Sequence, residues 1–321
     1  MTNTEYPRNR PTTAQAAGYS GAHVVHPRVA LSLLCAVIFV WGLSWPIMKL
    51  GLEFVPPLTF AVARLVLGGI CLAAVLIARR DFQVPGRQDL AVVFSVGIFQ
   101  LAAFLAFIHL GLMHVEAGRA AILSYTTLIW VTPLAVLFLG ERLTRIKILG
   151  LLCGLAGIFA LFNPGGFDWS DRSVLLGNGL LLVGALAWAI SILHVRVHPF
   201  RLSPLQLAPW QMLVATPPLA ILAVWWEADA VIVWSATLWG VLVYSGVLAT
   251  GFALWAWVTV NRALPAITSS VGSLGVPVVG LAASALFLGE NITLATAVGF
   301  ILILAGLAMI SIETALERQV P

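Results

Sequence analysis

Charge is what this chain has least of. Only 9% of its 321 residues are Asp, Glu, Lys or Arg, against 60% hydrophobic, whereas about a quarter of a soluble domain is charged. With a mean hydropathy of +1.01, that shortage excludes a water-soluble globule. Cysteine is scarce too. Cys35, Cys71 and Cys153 are odd in number and lack CxxC spacing, which excludes a disulfide framework or a cysteine metal cluster and leaves small packing residues. There is no GxxxxGK[ST] loop and no stretch left over for an ATP-hydrolysing module. Residues 1–28 are too long and too polar for the charged region of a signal peptide. They read as a disordered cytoplasmic tail ahead of a retained first span.

Long apolar runs are what the chain has in quantity. Ten of them can cross about 30 Å of hydrocarbon: Val29 to Met48, Leu58 to Ala78, Leu90 to Leu110, Ala120 to Leu139, Ile146 to Phe162, Val174 to Val195, Leu205 to Trp225, Ala236 to Trp257, Ile267 to Leu288 and Leu294 to Ile312. Leu137–Glu141 reads Leu-Phe-Leu-Gly-Glu, and Leu286–Glu290 repeats it at an offset, 290 − 141, of 149 residues. An odd number of spans per copy turns the second copy upside down. The expected fold is an all-α integral membrane protein of ten transmembrane helices in two inverted five-helix repeats, 29–163 and 174–312, joined by an external linker over 164–173 and followed by a cytoplasmic tail over 313–321.

The net charge of +4 reports orientation rather than a nucleic-acid partner. Among the 17 Lys and Arg, Arg64 lies inside a span and only Lys49, Arg119 and Arg172 fall on the side opposite the termini. The positive-inside rule therefore places both termini in the cytoplasm of a cell-membrane protein.

Polar and aromatic stripes mark the helices that face something other than lipid. Trp41, Ser44, Trp45 and Met48 share one helical face beside Pro46, which breaks the hydrogen-bond ladder. The sixth span repeats the stripe as Trp188, Ser191, Ile192 and Val195 at an offset, 188 − 41, of 147. Tryptophans at span ends, such as Trp225 and Trp226, suit interfacial anchors. Trp41 and Trp188 lie mid-span, where a cavity lining accounts for them better than plain helix packing. The fourth span aligns Ala121, Ser124, Tyr125 and Leu128, with Pro133 kinking it further in; the ninth aligns Ser270, Ser273, Leu274 and Pro277. Two hydroxyl-bearing faces meeting near the midplane make a binding site of the kind inverted repeats build, although small-residue packing uses such faces too. Gln100 is mid-membrane. Trp255 and Trp257 stand about 200° apart on their helix, so at most one faces the cavity.

Arg64 is costly inside a span, and tying neighbouring helix ends together is at least as good an account of it as substrate binding. His109, His114 and Glu116 fit no HExxH pattern and read as solvated loop residues; no metal and no cofactor are expected. Gly150, Gly154 and Gly157 in the fifth span, with Gly299 and Gly306 in the tenth, read as close-packing faces of scaffold helices or of a homodimer contact.

The duplicated Leu-Phe-Leu-Gly-Glu, the stretch Trp41-Gly42-x-Ser44-Trp45-Pro46 and the pair Ala63-Arg64 resemble the EamA-type transporters of the drug/metabolite transporter superfamily, over almost the whole chain from Val29 to Ile312. The resemblance implies a ten-helix inverted-repeat fold, cytoplasmic termini, a cavity lined by the first, third, fourth, sixth, eighth and ninth helices, and export or exchange of small metabolites such as amino acids. One departure is Leu128, where many first repeats carry the proline that here comes five residues later at Pro133.

The expected function is thus a secondary transporter or facilitator for small, amphipathic metabolites, with Trp41, Ser44, Trp45, Gln100, Ser124, Tyr125, Trp188, Ser191, Trp255, Ser270 and Ser273 as substrate contacts, and Arg64, Pro133, Pro277, Glu141 and Glu290 in structural or gating roles. The competing reading, an integral-membrane enzyme acting on a lipid or small substrate, needs a convergent acid, base, nucleophile or metal cluster, and the spans hold no paired carboxylates and no Ser/His/Asp set. All 13 acidic residues fit in tails, loops or span edges, which leaves only His109 to carry a coupling proton; a facilitator or exchanger driven by the substrate gradient follows. The repeat also predicts that cysteines placed beside Glu141 and beside Glu290 react with an impermeant reagent from opposite sides of the membrane. Labelling of both from one side would rule out inversion.

Overall fold

The computed structural model describes residues 26–141, 143–162 and 172–317; the tail expected over 1–28 and the linker expected over 164–173 lie almost wholly outside them. The described residues are helical and contain no strand. In chain order the helices are α1 (Pro27–Gly51), α2 (Pro57–Ala78), α3 (Arg87–Leu112), α4 (Ala117–Ser124 and Thr127–Leu139), α5 (Arg145–Phe162), α6 (Arg172–Val197), α7 (Pro204–Trp226), α8 (Ala236–Ala263), α9 (Ala266–Ser273 and Gly275–Leu288) and α10 (Leu294–Glu317). Among the described residues, nine helices are long and apolar enough to cross a membrane. The remaining one, α5, is 18 residues long and lies along α10. The C-terminal tail expected from residue 313 is instead helical to Glu317, whose carboxylate takes the buried ammonium of Lys147 at 2.5 Å.

Local chemistry fixes the helix ends. Proline opens α1, α2 and α7, where its missing N–H would have had no intrahelical partner. Glu227, just beyond α7, accepts the Leu58 and Thr59 amides at 2.7 and 2.8 Å and so satisfies the first turn of α2. Ser203 and Gln206 cap α7 reciprocally. The duplicated pentapeptide has a backbone meaning: Gly140 and Gly289 end α4 and α9 in the left-handed region, at φ 65° and 68°, a conformation that costs glycine nothing and other residues a clash at Cβ.

Packing around α1, α2, α6 and α7 repeats between the halves. Helix α1 lies on α8 and α9, while α6 lies on α3 and α4; α2 meets α7 and α8, while α7 meets α2 and α3. Exchanging each helix for the one five places along leaves this pattern of neighbours unchanged. Helices α5 and α10 pair with each other at one side, and their glycine faces are used inside the chain. A Cβ on Gly157 would stand 2.7 Å from the Gly299 carbonyl oxygen, and one on Gly299 would stand 2.8 Å from that of Gly157. Those faces are therefore closed to a dimer partner. Gly157→Val and Gly299→Val should each destabilise the protein by about 1–3 kcal/mol through overpacking, read as a lower Tm in detergent. Gly179→Ala, with nothing within 4 Å of its added methyl, should leave Tm unchanged or slightly raised.

Candidate functional site

Among the described residues the membrane-spanning helices depart from regular α-helix at two pairs of places, three of which contribute residues to one cavity while the fourth lies two residues from its lining residue Val276. Helices α3 and α8 each pass through a π-helical segment, Val96–Ala103 and Tyr244–Phe252, a form common at functional positions. The second segment supplies the Ala249 carbonyl that accepts the indole N–H of Trp41 at 2.9 Å, and the Thr250 hydroxyl that donates to the Ser245 carbonyl at 2.7 Å. Helices α4 and α9 are interrupted at Tyr125–Thr126 and at Leu274. In α9 the cause is Pro277, which offers no N–H to the Ser273 carbonyl and crowds it. Helix α4 has Leu128 at the matching position, and its interruption does not fall at Pro133, which lies within Thr127–Leu139. Two threonines break it instead: the Thr126 and Thr127 hydroxyls donate to the Leu123 and Ser124 carbonyls at 2.6 and 2.9 Å, in competition with the backbone ladder.

The cavity between these points encloses about 200 Å³, and Trp41, Ser44, Trp45, Gln100, Ser124, Tyr125 and Trp188 line it. Trp188 stands 4.7 Å from the Phe104 ring, and Trp41 stands 5.6 Å from Trp257. Four other residues read from the sequence as substrate contacts lie elsewhere. Ser191 is fully buried, with its hydroxyl 3.5 Å from the Gln100 side-chain oxygen. Trp255 packs on Phe252 at 5.8 Å, and Trp257 takes the cavity side of α8. The Ser273 hydroxyl donates to the Ser270 carbonyl at 2.7 Å. Ser270 itself lines a second pocket.

Two residues differ from their sequence readings more sharply. His109 is no solvated loop residue: it is 0% exposed, with its edge against Phe60. Its Nδ1 sits 2.7 Å from the Leu105 carbonyl oxygen; that oxygen can only accept, so Nδ1 carries a proton, while Nε2 has no hydrogen-bond partner among the described residues. Among the described residues no group of His, Cys, Asp and Glu could hold a metal. Arg64 joins α2 to α1 and α8 and also faces a cavity. It lines the cavity, 9% exposed, donating from Nε to the Thr250 hydroxyl and from Nη1 to the Met48 sulfur, each at 2.9 Å. A signal for it was present in the sequence: a lone basic residue well inside a span with no acid within helical reach.

The twin glutamates behave differently at the two ends of the bundle. Glu290 accepts the Ala117 and Gly118 amides at 2.6 and 2.9 Å, capping the first half of α4 and holding it to the end of α9, where the helix dipole favours a carboxylate. Nearby, Lys49 donates to the Leu112 and Val115 carbonyls at 2.6 and 2.9 Å. Glu141 instead takes the guanidinium of Arg196 at 3.0 Å. There a pocket of about 170 Å³, bordered by Thr132, Glu141, Lys147, Arg196, Ser270 and Ser311, parts the second half of α4 from the first half of α9.

The EamA-like transporter family matches this chain twice, over residues 28–163 and 175–312. The chain belongs to that family. Among curated relatives, an uncharacterized transporter of Bacillus subtilis, YoaV, is 28% identical over 88% of this chain and 96% of its own length. A probable amino-acid metabolite efflux pump of Escherichia coli is 27% identical over 86% of this chain and 92% of its own. A probable terminal-alkyne amino-acid exporter of Streptantibioticus cattleyicolor is 26% identical over 90% and 96%. A solved structure described only as the crystal structure of a protein superposes with a TM-score of 0.61 at 20% identity, over 91% of this chain and 99% of that one, which speaks to fold alone. This member of the EamA-like family is thus a multi-pass membrane transporter and not an enzyme, as its named relatives are transporters and efflux pumps.

In a background lacking Cys35, Cys71 and Cys153, a cysteine replacing Ser124 should react faster with an impermeant reagent applied from the Glu290 end once Glu290→Ala removes the cap. An unchanged rate would mean that the closure there does not depend on the capped amides.

Proposed function

We propose that this chain is a secondary transporter or facilitator that exports or exchanges small metabolites, amino acids and related amphipathic compounds, across the cell membrane by alternating access, with both termini cytoplasmic. The observation that carries this reading is the unequal state of two matched ends: helices α4 and α9 are stapled by Glu290 at one end of the central cavity and parted by a pocket at the other. In an inverted ten-helix repeat, the two ends are built from the same parts, so the opposite state needs only that the halves exchange conformations. The exchangeable packing pattern of α1–α5 and α6–α10 supports that architecture, and so does the double family match.

The cavity's chemistry supports an amphipathic substrate. Indole and phenol faces from Trp41, Trp188 and Tyr125 offer stacking area, and Gln100, Ser44 and Ser124 offer hydrogen bonds; the names of two relatives, a probable amino-acid metabolite efflux pump and a probable terminal-alkyne amino-acid exporter, point the same way. Among the described residues no Asp or Glu lines the cavity, and the buried His109 lies off it, which favours a carrier driven by the substrate gradient over proton coupling.

Proteoliposomes preloaded with radiolabelled amino acids test the reading. Efflux and counterflow should be saturable, and Trp41→Ala and Trp188→Ala should reduce them at least tenfold without loss of membrane insertion. With substrate equal on both sides, an imposed pH gradient should drive no net accumulation. Unaltered rates in both tryptophan variants would refute the cavity as the transport site.

A further inference from the structure

Arg64 is a cation held in the middle of the bundle without a counter-charge. Guanidinium stays protonated in proteins and presents five N–H donors, yet its hydrogen-bond partners among the described residues are one hydroxyl, whose own proton is committed to the Ser245 carbonyl, and one thioether, a weak acceptor. Among the described residues no carboxylate pairs with it: the ion pairs are Lys147 with Glu317 and Arg196 with Glu141. A buried charge ordinarily has a partner, because taking it out of water is expensive unless an opposite charge replaces the hydration. Arg64 is part of the lining of the central cavity.

We propose that Arg64 is the anchor for a substrate carboxylate, and that the transported class is defined by that carboxylate and an apolar or aromatic body rather than by an amino group. The inference rests on the central cavity being the transport site. A planar carboxylate matches the guanidinium fork in a bidentate pair, and the anion supplies the counter-charge that the protein omits. The indole faces of Trp41 and Trp188 then lie where the apolar body of the same molecule would stack. For an α-ammonium the described lining offers no acid, only neutral acceptors such as the Ser44 and Ser124 hydroxyls and the Gln100 side-chain oxygen, which the Ser191 hydroxyl already approaches. Amino acids with large apolar side chains are therefore admitted as carboxylic acids, and removing their amine should cost little.

The position matching Arg64 in the second half is Gln211, on α7 at an offset, 211 − 64, of 147. The anchor is thus single. One carboxylate per cavity is the stoichiometry that follows, and exchange between two substrates of equal net charge moves no net charge.

Quenching of intrinsic tryptophan fluorescence by L-phenylalanine, 3-phenylpropanoate and L-phenylalaninamide, on the purified full-length protein, tests the proposal, with counterflow of labelled L-phenylalanine in parallel. The two acids should bind within about threefold of each other, and the amide, which keeps the amine and loses the carboxylate, at least tenfold more weakly. Arg64→Met should bring both acids down to the level of the amide, and Arg64→Lys should restore part of the difference. Equal binding of amide and acids, a much weaker des-amino acid, or no saturable quenching by either acid overturns the proposal. The wild-type ligand series decides the matter even if Arg64→Met does not fold. Counterflow that is lost in Trp41→Ala but retained with unchanged acid preference in Arg64→Met would leave the transport reading standing and remove the anchor.

Discussion

Everything in this bundle answers to one constraint: inside a bilayer there is no water to satisfy a backbone amide or carbonyl that the helix leaves free. Most of the chain meets it with long, regular helices. The exceptions, the π-helical segments of α3 and α8 and the interruptions of α4 and α9, surround the central cavity and are repaired locally. Threonine hydroxyls take the carbonyls freed at the break in α4, the Trp41 indole takes that of Ala249, and the Thr250 hydroxyl takes that of Ser245. Irregular backbone is therefore where Gln100, Tyr125 and Thr250 of the cavity lining come from, while Ser44 and Arg64 reach it from regular stretches of α1 and α2.

The same constraint governs the helix ends, and there it makes a repeated motif act in two ways. Gly140 and Gly289 turn the chain out of the helix identically. The glutamate that follows then takes whatever donors face it. For Glu290 these are the free amides at the start of α4; for Glu141 it is the guanidinium of Arg196. Identical pentapeptides thus end in different electrostatic environments, because one pair of helix halves is in contact and its counterpart is separated by a pocket.

Duplication gives the frame but not the chemistry of the cavity. Trp41 and Trp188 face it as matched residues, whereas Arg64 is matched by Gln211 and Leu128 by Pro277. These mismatches fall where a ligand would touch the protein or where a helix must break. A bundle whose halves only needed to pack would have no use for a charge at one of the two positions, since an unpaired guanidinium costs several kcal/mol in a low-dielectric interior.

The sequence by itself determined the all-helical class, the helix boundaries to within two turns, the duplicated helix-ending motif and the aromatic stripe of α1 with its echo in α6, because apolar run length and helical periodicity are properties of a chain read residue by residue. It also carried the hydroxyl-rich faces of α4 and α9, though not which of their residues would meet. Only the tertiary structure decided that Trp257 rather than Trp255 faces the cavity, that Ser191 approaches Gln100 instead of the cavity, that α4 breaks at its threonines rather than at Pro133, that His109 is sealed against Phe60, and that Arg64 looks into the cavity. Each of these depends on which neighbour stands opposite a given helical face. Rotation about a helix axis is set by the packing of helices far apart in sequence, so a one-dimensional pattern narrows the choice of face and the assembled bundle makes it.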